Sequence, residues 1–401
     1  MKNWIVIVFI ALLGCATEDV VEIPGQNPSA GFELDVPEAF TWSAVTQDIV
    51  LINLVSGDST TEELDGTLAQ LFNMENELID ALVIKKGKAC FNIRIPAEMD
   101  KLKLSLPAIG EVMEFSSKKR YLNYEVPENL PLAKNRLDSD GDGLFDEFDS
   151  SPLNPSVTIK LRDKLSTYNS YYIFEDLWPS KGDFDFNDVV IKANYSWTRG
   201  KDNFISEIYG TCTADWENRE FGIGLELFEA KGSYLIYPDN VIEEVKGTEL
   251  ANEMQNGIII FNDSEKAGNS TVQFTIKLKD NNLTDFVCVP FIYKLDGRQH
   301  QIRPFGSPPT QMQQMQMFRS VDDASPNNWE WKKGEKFKYP LQGQDAFYRT
   351  GEGLPWCVQF MAKEFINPAE MQSIVSSYPN FKTWAESGGT VDKDWYNHPA
   401  K

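Results

Sequence analysis

The sequence predicts a mainly β protein: two β-sandwich domains, the first immunoglobulin-like and the second jelly-roll-like, joined by an acidic linker and followed by short C-terminal helices. Three observations carry this expectation. Short apolar runs recur between turn residues along most of the 401-residue chain, the spacing of strands rather than of long helices. Residues 128–156 interrupt that pattern with a dense acidic stretch flanked by Pro131 and Pro152. Near the end, Asn367-Pro368-Ala369-Glu370 reads as a helix start and Gly388-Gly389 as a helix stop.

At the N-terminus, Lys2 precedes an apolar run over residues 4–13. Spanning a bilayer takes about 20 such residues, so residues 1–14 read as an export signal. Leu12-Leu13-Gly14-Cys15 resembles a bacterial lipobox, which makes Cys15 the expected lipidation site, bearing palmitate or a similar acyl chain; the alternative is an ordinary signal peptide with an incidental cysteine. Residues 15–31 lack periodicity and are expected to be a flexible tether. The expected location is the outer membrane, surface-exposed, with the periplasmic face left open.

Residues 32–127 hold apolar stretches at 48–55, 90–95, 102–106 and 121–126, which suggest the first sandwich. Recurring leucines with Met74 give residues 62–82 a helix-like look, interrupted by Gly66. In 157–401, stretches at 171–174, 189–195, 204–213, 222–228, 257–261, 271–278 and 286–293 fit a larger sandwich or jelly roll. A helix opening at Asn367 is expected to stop before Pro379, and a second, 381–386, to end at the glycine pair. The Met- and Gln-rich residues 311–317 read as a mobile loop, with a methionine copper site as the lesser alternative.

Composition excludes several functions. Sixty Asp+Glu against 38 Lys+Arg leave a net charge of −22, which repels nucleic acid. Two distant histidines, His300 and His398, disfavour zinc, non-haem iron and histidine-based triads. No GxSxG, P-loop or HExxH motif occurs. Beyond Cys15, the cysteines Cys90, Cys212, Cys288 and Cys357 are widely spaced and adjoin apolar runs, so they are expected to be buried; a Cys212–Cys288 disulfide is allowed but not demanded.

Two acidic segments carry chemistry. In the first, Asp138, Asp140, Asp142, Asp146 and Asp149 occupy positions 1, 3, 5, 9 and 12 of an EF-hand-like loop, with Gly143 at position 6 and the Leu144 carbonyl available at 7. Calcium takes about six to eight hard oxygens, and spacing by two brings successive carboxylates to one ion while the glycine allows the sharp turn. The flanking prolines argue against a helix-loop-helix sensor and for a loop like those of thrombospondin type 3 repeats; a solvated acidic linker is the alternative. In the second segment, Asp183, Asp185 and Asn187 alternate with Phe184 and Phe186, which places three oxygen ligands on one side of an extended or turning backbone. Glu175 and Asp176 can close that site and Asp188 can cap or coordinate; a polar turn between buried strands is the alternative. Residues 138–149 hold six acids and no base, and 175–188 five acids and one lysine, so together they carry −10 of the −22.

Residues 174–190, FEDLWPSKGDFDFNDVV, resemble the signature of the LruC-domain family of bacterial lipoproteins. Phe221-Gly-Ile-Gly-Leu-Glu-Leu227, Leu354-Pro-Trp356, Tyr378-Pro-Asn-Phe-Lys-Thr-Trp384 and Asp394-Trp-Tyr396 add to the likeness, which spans about residues 138–396. The resemblance implies an exported, lipid-anchored β-rich protein whose aspartate motifs look like calcium sites, without established catalysis. Cys357 and residues 311–317 depart from the pattern.

The combined expectation is a calcium-binding, lipid-anchored cell-envelope protein with a structural, adhesive or ligand-binding role. Ca²⁺ would rigidify the linker and the second domain, and the partners would be the membrane, through the anchor, and a glycan or envelope protein, not nucleic acid. The alternative is a polysaccharide-acting hydrolase with paired carboxylates, in which Trp329, Trp331 or Trp395 stacks on sugar rings.

Overall fold

The first strand, Ser43–Ser56, joins the two halves of the chain. Its later part buries Val50, Ile52 and Leu54 and leaves the residues between them half-exposed, the period of two that a half-buried strand imposes. This part pairs antiparallel with Lys88–Pro96 and parallel with Tyr121–Glu125. A four-stranded sheet in the order Leu78–Val83, Leu68–Phe72, Lys101–Leu106, Glu111–Ser116 faces it. Phe91 and Ile93 from one layer meet Leu71, Leu102 and Leu104 from the other in one core, so the first module is a sandwich.

This computed structural model describes residues 33–128, 136–161, 167–216, 220–262, 270–279, 283–370 and 372–400. The expected export signal, Cys15 and the tether lie outside the described residues. The architecture is mainly β with few short helices, as the sequence predicts.

The early part of the first strand belongs to the second module. Ser43 and Ala44 pair in parallel with Gln359 and Phe360 of the last strand, Cys357–Ala362. The same sheet continues through Asn169–Phe174, Val189–Arg199, Ile205–Trp216 and Thr271–Leu278. It packs on a second sheet built around Phe221–Lys231, Gly257–Phe261 and Phe286–Lys294. Tyr172, Ile191 and Ile208 meet Ile223, Leu225 and Ile292 across that interface. Phe221–Lys231 and Phe286–Lys294 are buried on both faces along most of their length because clusters around Phe228 and Phe291 cover the side away from that interface.

Hydrogen bonding therefore crosses the acidic segment instead of stopping there. Arg199 of the second module donates to Asp80 of the first at 2.7 Å, with both side chains almost fully buried. Val83 N–H donates to Asn203 at 2.8 Å, and Arg94 reaches Ser170 and Tyr172. Phe40 packs edge-on to Trp384 at 4.9 Å and Trp42 stacks on Phe381 at 5.9 Å, fastening the segment before the first strand to the helix Asn380–Glu386.

Four local expectations are corrected. Residues 62–82 contain two strands, not a helix; Asn73 Oδ1 accepts the Glu75 and Glu77 N–H groups and turns the chain between them. The leucines of two short strands simply fell at helix-like intervals. Asn367 starts no helix: the helical turn that follows it is Ile374–Ser377, while Asn367 bonds Asp215. Asn380–Glu386 is the second helix, and it does end at Gly388 and Gly389, both left-handed. Cys90 is exposed on its strand, and Cys212, Cys288 and Cys357 are buried free thiols without a Cys212–Cys288 bond. Residues 311–317 are packed rather than loose, with Gln313 buried and Met315 and Met317 against the main core.

Removing one partner of a buried ion pair strands the other charge, at a cost of about 3–5 kcal/mol. Asp80→Ala should therefore lower the unfolding free energy by that amount in urea titrations. Asp80→Leu combined with Arg199→Met should recover most of it. A loss below about 1 kcal/mol for Asp80→Ala would place the pair with ordinary surface ion pairs.

Candidate metal centres

Two left-handed glycines bend the first loop: Gly141 at φ 75° and Gly143 at φ 100°. Asp138 holds the bend, its Oδ1 accepting Gly141 N–H at 2.8 Å and its Oδ2 Gly143 N–H at 3.0 Å. Asp140 Oδ1 accepts Asp142 N–H at 3.2 Å, Asp142 Oδ1 accepts Leu144 N–H at 2.9 Å, and Asp149 Oδ1 accepts Ser151 N–H at 2.7 Å. Each of these three acids thus uses one oxygen on the backbone. Their other oxygens are buried: Asp140 Oδ2 and Asp149 Oδ2 have no hydrogen-bond donor, and Asp142 has the Thr158 hydroxyl beside it.

Carboxylate oxygens of Asp138, Asp140 and Asp142 lie within 4.8 Å of one another. Such crowding away from water favours protonation or a cation. Burial first, then Asp142 and Asp140, pushes Asp149 up to about 6, and Asp142 moves the same way for the same primary reason. Asp146 is differently engaged: its two oxygens accept the Ser139 N–H and hydroxyl at 2.8 and 2.7 Å. The Leu144 side chain is fully buried among Leu68, Val83, Ile159 and Leu161, residues from both modules.

The second loop links Asn169–Phe174 to Val189–Arg199. Of the extended and turning backbones the sequence allows, the turning one is found. Phe184 and Phe186 adopt left-handed φ of 59° and 56°, which costs on the order of 1–2 kcal/mol each. Burying each ring contributes about 1.5–3 kcal/mol, and both are at most 1% exposed, which offsets the strain. The resulting curl sends the rings into the core and turns the intervening oxygens the other way.

Oxygens of Glu175, Asp183 and Asp185 come within 4.8 Å of one another. Glu175 Oε1 accepts Phe186 N–H at 2.8 Å, and Glu175 Oε2 is buried without a donor, as is Asn187 Oδ1. Asp188 caps rather than joins this group: its Oδ2 accepts Asp176 N–H at 3.0 Å. Burial, then Asp176, pushes Asp188 up to about 8, and burial, then Asp188, raises Glu175 well above the carboxylate range. A Cβ at Gly182 would sit 1.7 Å from Glu175 Oε2, so only glycine lets the loop close over that carboxylate.

Several residues that hold this loop were not tied to it by the one-dimensional pattern, which marks Trp356 only within the Leu354-Pro-Trp356 likeness. Asp323 accepts the Trp178 indole N–H at 2.8 Å, Asp322 accepts Lys181 N–H at 2.9 Å, and Trp356 donates to Ser180 O at 2.8 Å. They lie more than 140 residues away in sequence, and no local spacing links them to the loop. Conversely, Trp395 is fully buried and presents no ring face for sugar stacking, while Trp329 and Trp331 are half-buried.

Residues 233–396 match the family model described as DUF4842, a domain of unknown function. That span contributes Asp322, Asp323 and Trp356 to the clamp, while both acidic loops precede it. No curated protein matches the chain in sequence. Among solved structures, a proposed lipoprotein from Bacteroides ovatus aligns with a TM-score of 0.45 and 12% identity over 84% of this chain and 98% of that one. A variant of the major pilin subunit of Bacillus cereus aligns with a TM-score of 0.14 and 9% identity, over 63% and 65%. Neither likeness is close enough to carry a functional argument, and the LruC-domain resemblance rests on its motifs alone. Among the described residues no helix is long and apolar enough to cross a membrane.

The raised carboxyls imply a pH dependence. Asp149 and Asp188 hold protons more tightly folded than unfolded, where they titrate near 4. In a chelator the folded state should therefore lose stability as pH rises from about 4, through about 6 for Asp149 and about 8 for Asp188. Calcium should remove that decline, because the bound cation favours the ionised form. Melting temperatures with and without calcium that run parallel from pH 5 to 9 would contradict this assignment.

Proposed function

We propose that the chain is a calcium-binding, lipid-anchored cell-envelope protein with a structural or adhesive role and no catalytic activity of its own. The observation that carries this reading is the set of donorless buried oxygens at two loops: Asp140 and Asp149 at one, beside the buried Asp142 carboxylate, and Glu175 and Asn187 at the other. Hard, mostly anionic oxygens in this number suit Ca²⁺ better than a softer metal. Asp138, Asp140, Asp142, Asp149 and the Leu144 carbonyl would hold one ion, and Glu175, Asp183, Asp185 and Asn187 a second. A bound divalent cation supplies the positive charge that these desolvated carboxylates lack.

The mechanism is mechanical. Phe145 N–H donates to Gly66 O in the first module at 2.9 Å, while Thr158 N–H donates to Arg199 O in the second at 2.7 Å. Ordering the loop between them would hold the Leu144 plug in the seam. The second ion would order the loop that Asp322, Asp323 and Trp356 clamp. Calcium thereby stiffens a projecting body whose outer loops meet a glycan or another envelope protein. The lipobox-like Leu12-Leu13-Gly14-Cys15 supports an acyl anchor in the outer membrane, with the body at the cell surface.

Calorimetric titration of the chelator-treated full chain should give two calcium ions per chain. Asp140→Ala with Asp142→Ala should leave one, as should Glu175→Gln, with each variant losing part of the calcium-dependent rise in melting temperature. Absence of binding at millimolar calcium would refute the reading. For the anchor, labelled palmitate should be incorporated into the wild-type chain and not into Cys15→Ala; equal labelling would remove Cys15 from that role.

A further inference from the structure

A cavity of about 120 Å³ lies between the two modules, lined by neither acidic loop. Arg94 sets its chemistry. Arg94 Nη1 donates to Ser170 Oγ at 3.0 Å and Nη2 to Tyr172 OH at 2.9 Å, both neutral hydroxyls. The core arginines Arg199 and Arg303 each hold a carboxylate at 2.7 Å, whereas among the described residues Arg94 forms no ion pair. In a chain of net charge −22, a recessed guanidinium without a counter-ion is out of keeping with its surroundings.

The cavity's own acids do not fill that role. Asp80 is committed to Arg199, and Arg199 is also the cation acting on Asp285, which burial pushes up to about 7. Two further donors lie buried in the wall, Tyr195 OH beside the Cys288 thiol and Trp197 Nε1 beside the Asp80 carboxylate. Ile79, Met99 and Phe286 supply an apolar wall. A mostly apolar pocket at a domain junction with a few convergent polar groups is the usual form of a small-molecule site.

We propose that this cavity binds a small organic monocarboxylate, with the carboxylate on the Arg94 guanidinium and the apolar body against Ile79, Met99 and Phe286. Arginine's planar fork suits a carboxylate, and its spare N–H groups remain for the ligand. The volume limits the body to about one six-membered ring or a short chain, since a cavity of about 150 Å³ accommodates benzene. Because Arg94 belongs to the first module and Phe286 to the second, an occupant would also brace their junction, independently of the calcium loops.

Saturation-transfer NMR on the full chain tests this, using benzoate and butyrate at millimolar concentration, with benzamide as the uncharged counterpart of benzoate. At least one carboxylate should bind, and benzamide should bind about tenfold more weakly or not at all, the scale of a lost charge-assisted hydrogen bond. Arg94→Met should weaken carboxylate binding by at least about tenfold. Should Arg94→Met fail to fold, Met99→Trp, which fills the cavity without touching the charge, should abolish binding. The proposal is overturned if neither carboxylate binds, if benzamide binds as well as benzoate, if folded Arg94→Met binds as tightly as wild type, or if Met99→Trp retains binding.

Discussion

A carboxylate removed from water needs positive charge nearby, and the effective penalty without it is several kcal/mol per ion. This constraint orders the molecule. Inside the cores the protein meets it with arginine, Arg199 for Asp80 and Arg303 for Glu226. Among the described residues no ion pair takes that place at Asp138, Asp140, Asp142, Asp149 or Glu175. There, oxygens of Asp138, Asp140 and Asp142, and of Glu175, Asp183 and Asp185, are gathered within 4.8 Å. Backbone N–H groups take one side of most of these carboxylates, which fixes their direction and leaves the other side for a cation.

Position makes the loops consequential. Leu144 is a core residue shared by both modules, so the first loop cannot loosen without opening the seam. The second loop hangs between two cores, with Trp178 in one and Phe184 and Phe186 in the other. Its strained φ values are held by ring burial, and its carboxylates face the cost of crowding. Relief of that crowding by a divalent ion acts on both packing regions at once. The buried Asp80–Arg199 pair already joins the modules, so calcium would tune an existing junction rather than create one.

Much of this was legible in the sequence because the relevant signals are local. The register of Asp138, Asp140, Asp142 and Gly143 announces a turning oxygen-rich loop, and the alternation around Phe184 and Phe186 foretells rings on one side and oxygens on the other. Strand content followed from short apolar runs for the same reason. What escaped was set at long range. The clamp from Asp322, Asp323 and Trp356 depends on the fold, as does the sharing of Ser43–Ser56 between two sandwiches. The helix-like look of residues 62–82 failed because leucine spacing alone does not distinguish a helix from two strands and an Asn73 turn.

The most direct test of the account is a crystal structure grown with calcium and examined by anomalous scattering. The account predicts one peak ringed by Asp138, Asp140, Asp142, Asp149 and the Leu144 carbonyl, and another beside Glu175, Asp183, Asp185 and Asn187. Well-ordered loops with no peak at either place, their buried oxygens instead protonated or bonded to water, would contradict it.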